Sequence, residues 1–155
     1  MQVTLFVNEK RCVWDTTLTE TLADALRAHG FLSVRCGCRK GSCGMCTVWL
    51  DGWPVLSCSV LLCRLEGRAV TTLEGVEPQA SALAACLVAE GGDQCGFCAP
   101  GYIMTVLALE RELPAPIPEE TVRQYLAGTL CRCTGYRSKL KAAMTYLSGG
   151  GKHSV

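Results

Sequence analysis

Cysteine placement constrains this chain more than any other feature. There are 12 cysteines in 155 residues. Cys36, Cys38, Cys43, Cys46, Cys58 and Cys63 lie in the first half, and Cys95, Cys98, Cys131 and Cys133 in the second; Cys12 and Cys86 stand alone. Such a content belongs either to a secreted disulfide framework or to metal ligation. The N-terminus, Met1 to Arg11, has no charged region ahead of a long apolar run. No secretory leader is therefore expected, and the chain is expected in the cytoplasm. In a reducing compartment, clustered cysteines are metal ligands more often than disulfides. The hydrophobic fraction of 49% excludes a disordered chain. A formal charge of +1 without a basic run argues against nucleic acid. No apolar stretch reaches the roughly 18 residues of a membrane span.

The pattern around the cysteines reads as α+β in two units. Gln2 to Val7 alternates as a strand, Asn8-Glu9 turns, and a second strand follows near Arg11 to Trp14. Thr17 and Glu20 have the spacing of a capping box. The helix that follows would place Leu18, Leu22, Ala25 and Leu26 on one face and stop at Gly30. Thr47 to Leu50 and Val55 to Cys58 flank Asp51-Gly52, a hairpin signal, with Pro54 marking an edge strand. Ala69 to Leu73 is a last short strand. The breakers of Glu74 to Pro78 separate this unit from a helical one. Its helices are expected at Gln79 to Ala89, Tyr102 to Glu112, from Glu119 to near Gly128, and at Ser138 to Leu147. The units are thus residues 1–75 and 76–148, with 149–155 as a flexible tail.

Cys38, Cys43 and Cys46 form C-x4-C-x2-C, and Cys58 follows after the hairpin. This is the spacing of a plant-type [2Fe–2S] ferredoxin loop with a remote fourth ligand. Three thiolates on one short loop must wrap a small cluster, and Gly37, Gly41 and Gly44 let the backbone approach it. Zinc prefers paired C-x2-C motifs, and buried structural cysteines would not need the glycines. Cys95-x2-Cys98 with Cys131-x-Cys133 is ambiguous by itself between zinc and a cluster. Each half-motif lies at a helix start, where free N–H groups and a positive partial charge favour thiolates.

Taken together, C-x4-C-G-x-C, Gln94-Cys95-Gly96-Phe97-Cys98-Ala99-Pro100-Gly101 and Leu130-Cys131-Arg132-Cys133-Thr134-Gly135-Tyr136 resemble the small iron–sulfur subunit of the molybdenum hydroxylases. This is the xanthine dehydrogenase / aldehyde oxidoreductase / carbon monoxide dehydrogenase family. The resemblance implies a β-grasp ferredoxin domain, with Cys38, Cys43, Cys46 and Cys58 on one [2Fe–2S] cluster. It implies an all-α four-helix domain with Cys95, Cys98, Cys131 and Cys133 on a second. Gln94 and Cys133 match positions near the pterin of a molybdopterin cofactor on a large partner subunit. The first cluster would face FAD on a medium partner subunit. The chain would relay electrons from molybdenum through both clusters to FAD, in a heterotrimer or a doubled heterotrimer, during purine or N-heterocycle oxidation. No glycine-rich dinucleotide fingerprint is present, and the expectation is that flavin and molybdenum reside on separate chains.

Alternatives from other classes are a stand-alone [2Fe–2S] carrier and a structural zinc protein. Two departures from the family pattern stand out. Arg39-Lys40 replaces the common Gly-Glu in the first loop, adding positive charge that favours a reduced cluster, or a docking surface. Cys12, Cys36, Cys63 and Cys86 have no assigned role; Cys12, Cys63 and Cys86 read as small apolar filler. Trp14, Trp49 and Trp53 read as packing residues, and His29 as a favourable charge at a helix C-terminus.

Overall fold

The computed structural model describes residues 1–149, so residues 150–155 of the expected tail lie outside the described residues. The chain is α+β. All of its strands precede residue 72, and four of its five α-helices follow residue 76. Strands β1 (Gln2–Val7), β2 (Lys10–Asp15), β3 (Thr47–Leu50), β4 (Trp53–Leu56) and β5 (Ala69–Thr71) form one mixed sheet. Its order is β2-β1-β5-β3-β4, with β1 and β5 parallel and the other pairs antiparallel.

Local sequence explains these elements. Val3, Leu5 and Val7 alternate into the core while Gln2 and Phe6 face out. The β3–β4 hairpin turns on Asp51 (φ +48°) and Gly52 (φ +86°), the paired left-handed conformation of a type I′ turn. Pro54 lies on β4, at the sheet edge, where its missing N–H costs no ladder bond. β4 ends at Leu56 rather than Cys58 because Ser57–Ser59 coils into a 3₁₀ turn. β5 stops at Thr71, and Leu73–Gly75 forms another such turn.

The expected capping box at Thr17 and Glu20 is not the helix start. Helix α1 (Leu22–Ala28) is capped by Thr21, whose hydroxyl accepts from the Asp24 N–H (3.2 Å) and donates to the Asp24 carboxylate (2.7 Å). Leu18 consequently stays outside the helix and 72% exposed. His29 stacks on Trp14, with ring centroids 4.2 Å apart. Trp14 and Trp49 are buried as expected, whereas Trp53 is 65% exposed because it opens the edge strand.

Helices α2 (Glu77–Ala89), α3 (Ala99–Glu112), α4 (Glu119–Tyr125) and α5 (Arg137–Ser148) follow. α2 and α3 begin earlier than their apolar periodicity suggested, because Pro78 and Pro100 occupy first-turn positions that need no donor. One apolar cluster lies under the sheet around Leu5, Leu22, Leu26 and Val48. The other fills the helices around Leu83, Tyr102, Val106 and Ala142, and Trp49 of β3 reaches into it. The Trp49 indole donates to the Met104 carbonyl at 3.0 Å, and the Arg111 guanidinium covers the same ring at 4.4 Å. The sheet and the helices are thereby joined across a packed seam.

Candidate metal centres

No disulfide joins any of the 12 cysteines. Eight of them converge as four pairs in two neighbouring groups. Cys38 and Cys43 stand together on the loop after α1, and Cys46 is paired with Cys58 across the hairpin. Cys98 is paired with Cys131. The Cys133 thiol lies 3.6 Å from the Cys95 sulfur. Among the described residues, no three His, Cys, Asp or Glu side chains close on a single metal-ion position. Four two-thiol pairs are the donor set that two binuclear clusters take, each iron using two thiolates.

The backbone supports anionic sulfur at the first group. The amides of Lys40 and Ser42 both donate to the Cys38 sulfur at 3.4 Å. These bonds hold its thiol down to about 6. Cys46 lies deep beside β3, and burial pushes its thiol up to about 11. Burial likewise raises Cys43. Arg39 sits on the outer turn of the loop at φ +53°, and pairs with Asp24 at 2.9 Å.

The second group joins two helix starts. Cys98 is the residue immediately before α3. Cys131 and Cys133 lie in the turn before α5, where the Thr134 amide reaches the Cys131 sulfur at 3.5 Å. Burial would raise the Cys131 thiol, but the Thr134 hydroxyl and the local amides prevail and bring it to about 7. Burial raises Cys98, and the neighbouring Cys95 raises Cys133. Cys95 and Cys133 are exposed, as is Gln94, while Cys98 and Cys131 are buried. The second group therefore has an inner pair and an outer pair.

The two groups are pressed against one another. The Leu130 N–H donates to the Cys43 carbonyl at 2.9 Å. A Cβ on Gly44 would lie 2.5 Å from the Gly128 carbonyl oxygen, and one on Gly101 would lie 2.3 Å from the Gly44 oxygen. Only glycine lets these backbones meet. Arg35, just ahead of the first loop, spans to Phe97 of the second, its guanidinium carbon 5.7 Å from the ring centroid. The four remaining cysteines stand apart from the pairs. Cys12 and Cys36 pack against the sheet core and Cys86 against the helical core. Cys63 is half-buried near the Leu18 carbonyl.

Two family models cover this arrangement. A 2Fe-2S iron-sulfur cluster binding domain matches residues 11–85, and a [2Fe-2S] binding domain matches residues 72–144. The chain is 42% identical over 134 residues to the nicotinate dehydrogenase small FeS subunit of Eubacterium barkeri, covering 84% of each chain. It is 46% identical over 121 residues to the xanthine dehydrogenase iron-sulfur-binding subunit of Escherichia coli O157:H7, covering 75% of each. The solved structure of quinoline 2-oxidoreductase from Pseudomonas putida 86 superposes with a TM-score of 0.87 at 34% identity, over 100% of this chain and 98% of that one. Longer relatives also match: the chain spans 12% of the length of aldehyde oxidase 4 of Cavia porcellus. The chain belongs to the small [2Fe–2S] subunits of the molybdenum hydroxylase family, the electron-relay components of oxidoreductase complexes. No helix among the described residues is long and apolar enough to cross a membrane.

One charged residue beside the second group was not singled out from sequence. Lys139 is 2% exposed. The signal was available: Lys139, Ala142, Ala143 and Tyr146 share the spacing of one buried helical stripe, and a lysine does not ordinarily occupy it.

Proposed function

We propose that Cys38, Cys43, Cys46 and Cys58 hold one [2Fe–2S] cluster, and Cys95, Cys98, Cys131 and Cys133 the other. The pairs seen in the chain would divide by iron: Cys38 with Cys43, Cys46 with Cys58, Cys95 with Cys133, and Cys98 with Cys131. Each bound cluster supplies one-electron redox chemistry. The chain's own part is to fix the thiolates, shield Cys43, Cys46, Cys98 and Cys131 from water and hold the two groups in contact. Residues 1–75 then constitute a β-grasp ferredoxin domain and 76–148 a four-helix domain.

The observation that carries the reading is the hydrogen bond from Leu130 to Cys43. It joins the residue preceding Cys131 to a ligand of the other set, so the two clusters would be bridged by covalent bonds and one hydrogen bond. Exposure supports a choice of docking edge for each partner. Gln94, Cys95 and Cys133 form an exposed edge, bordered by Phe97, Leu130 and Tyr136, which are 41%, 41% and 55% exposed. Exposed apolar side chains of this size around a redox pair suit a protein interface. We assign this edge to a large subunit carrying molybdopterin, with Gln94 and Cys133 nearest the pterin. The first loop, with exposed Arg39 and Lys40, would face a medium subunit carrying FAD. The assembly is a cytoplasmic heterotrimer, single or doubled. Its substrate is a purine or another N-heterocycle, as the names of the nicotinate, xanthine and quinoline relatives suggest.

Serine replacement tests the ligand sets. Cys46→Ser should abolish one of two [2Fe–2S] EPR signals and Cys98→Ser the other, while Cys12→Ser and Cys86→Ser leave both. The assignment fails if either ligand variant retains both signals with unchanged line shape. Co-purification with flavin- and molybdenum-containing polypeptides tests the assembly.

A further inference from the structure

Lys139 lies in the first turn of α5, and its ammonium is buried without a hydrogen-bond partner among the described residues. A charge does not persist in such a place unless an opposite charge compensates it. The surroundings narrow what that charge is. The ammonium sits 4.6 Å from the centroid of the Tyr102 ring. Tyr102 donates its hydroxyl to the Lys139 carbonyl at 2.7 Å and its backbone N–H to the Cys98 carbonyl at 3.1 Å. Tyr102 therefore ties the first turn of α5 to the first turn of α3, the helix that Cys98 precedes.

The adjoining cavity of about 760 Å³ offers no free carboxylate. It is lined by Arg123, Arg137 and Lys141 together with Lys139, and its one acidic residue, Glu119, is engaged by Arg123 at 2.6 Å. The Lys139 side chain neighbours the Cys98 thiol. The remaining source of negative charge is the inner pair, Cys98 and Cys131, as cluster-bound thiolates.

We infer that Lys139 is the built-in counter-charge of the second cluster, a positioning residue that sets its reduction potential. This rests on the ligand assignment above. Reduction adds one electron and one negative charge to the cluster, and no bond forms or breaks. A fixed positive charge against the ligands favours that more negative state, so the second cluster is a better electron acceptor than it would be beside a neutral side chain.

The test is an EPR-monitored redox titration of the assembled complex, comparing wild type with Lys139→Met and Lys139→Arg. In Lys139→Met the second-cluster signal should titrate at lower potential. A tenfold change in the oxidised-to-reduced ratio at fixed poise corresponds to about 59 mV for one electron. The first cluster should not move, and Lys139→Arg should stay close to wild type. An unchanged second midpoint in Lys139→Met, with both clusters present, overturns the inference. If Lys139→Met fails to hold the second cluster, Lys139→Arg decides: retention there supports a charge requirement, and loss in both variants marks a packing role and overturns it. Absence of a second signal from wild type would instead overturn the ligand assignment.

Discussion

Leu130 donates its backbone N–H to the carbonyl of Cys43 at 2.9 Å, and this one bond couples the two thiol-bearing loops. It exists because Gly44 and Gly101 allow the backbones to close. Alanine at Gly44 would adopt φ +72° and bring its Cβ to 2.5 Å from the Gly128 oxygen, which is backbone and cannot swing aside. Gly44→Ala is expected to cost about 2–3 kcal/mol, combining left-handed strain with a forced separation. Thermal unfolding of the holo protein checks this. A melting temperature equal to wild type would show that the seam is not tight.

Arg39 is the opposite case. It occupies φ +53°, where glycine is unstrained, and the Asp24 pair that holds it is exposed on both sides. Exposed pairs contribute roughly 0–1 kcal/mol, no more than the left-handed conformation costs. Arg39→Gly should therefore leave the melting temperature unchanged or slightly higher. A loss beyond about 1 kcal/mol would show that the ion pair is worth more than its exposure suggests.

Glu74 ties the loop after α1 to the end of the sheet. Burial raises its carboxyl, but hydrogen bonds from Ser33 and Thr72 prevail and hold it below the ordinary carboxylate value. A depressed folded-state pKa means that this stabilisation is present above the unfolded value and is lost as pH falls through the folded one. Glu74→Gln should cost about 1–2 kcal/mol at neutral pH. The gap to wild type should narrow only below about pH 4.5, the unperturbed value. Urea melts at matched pH values check this, and a gap that stays constant on acidification would contradict it.

The parts legible in sequence were those encoded over short distances. Asp51-Gly52 specified its hairpin because both positions need left-handed backbone, and Pro54 marked the edge. The C-x4-C-x2-C spacing singled out the first cysteine group, whereas C-x2-C with C-x-C acquired meaning only with the flanking Gln94, Pro100 and Thr134-Gly135-Tyr136. Helix α1 began at Thr21 rather than Thr17 because two threonines each precede an acidic residue by three positions. Only packing, which leaves Leu18 outside, distinguishes them. The seam was invisible for a different reason. Leu130 to Cys43 and Trp49 to Met104 are long-range contacts that no local pattern predicts. Lys139 was visible as a lysine on an apolar stripe, but its meaning required knowing that Cys98 lies beside it.

The most direct measurement of the central claim is low-temperature EPR of the dithionite-reduced protein. Two clusters on adjoining loops predict two distinct [2Fe–2S] signals, with mutual magnetic broadening once both are reduced. A single signal, two signals without interaction at full reduction, or a colourless zinc protein would contradict a two-cluster relay wired through Cys43 and Leu130.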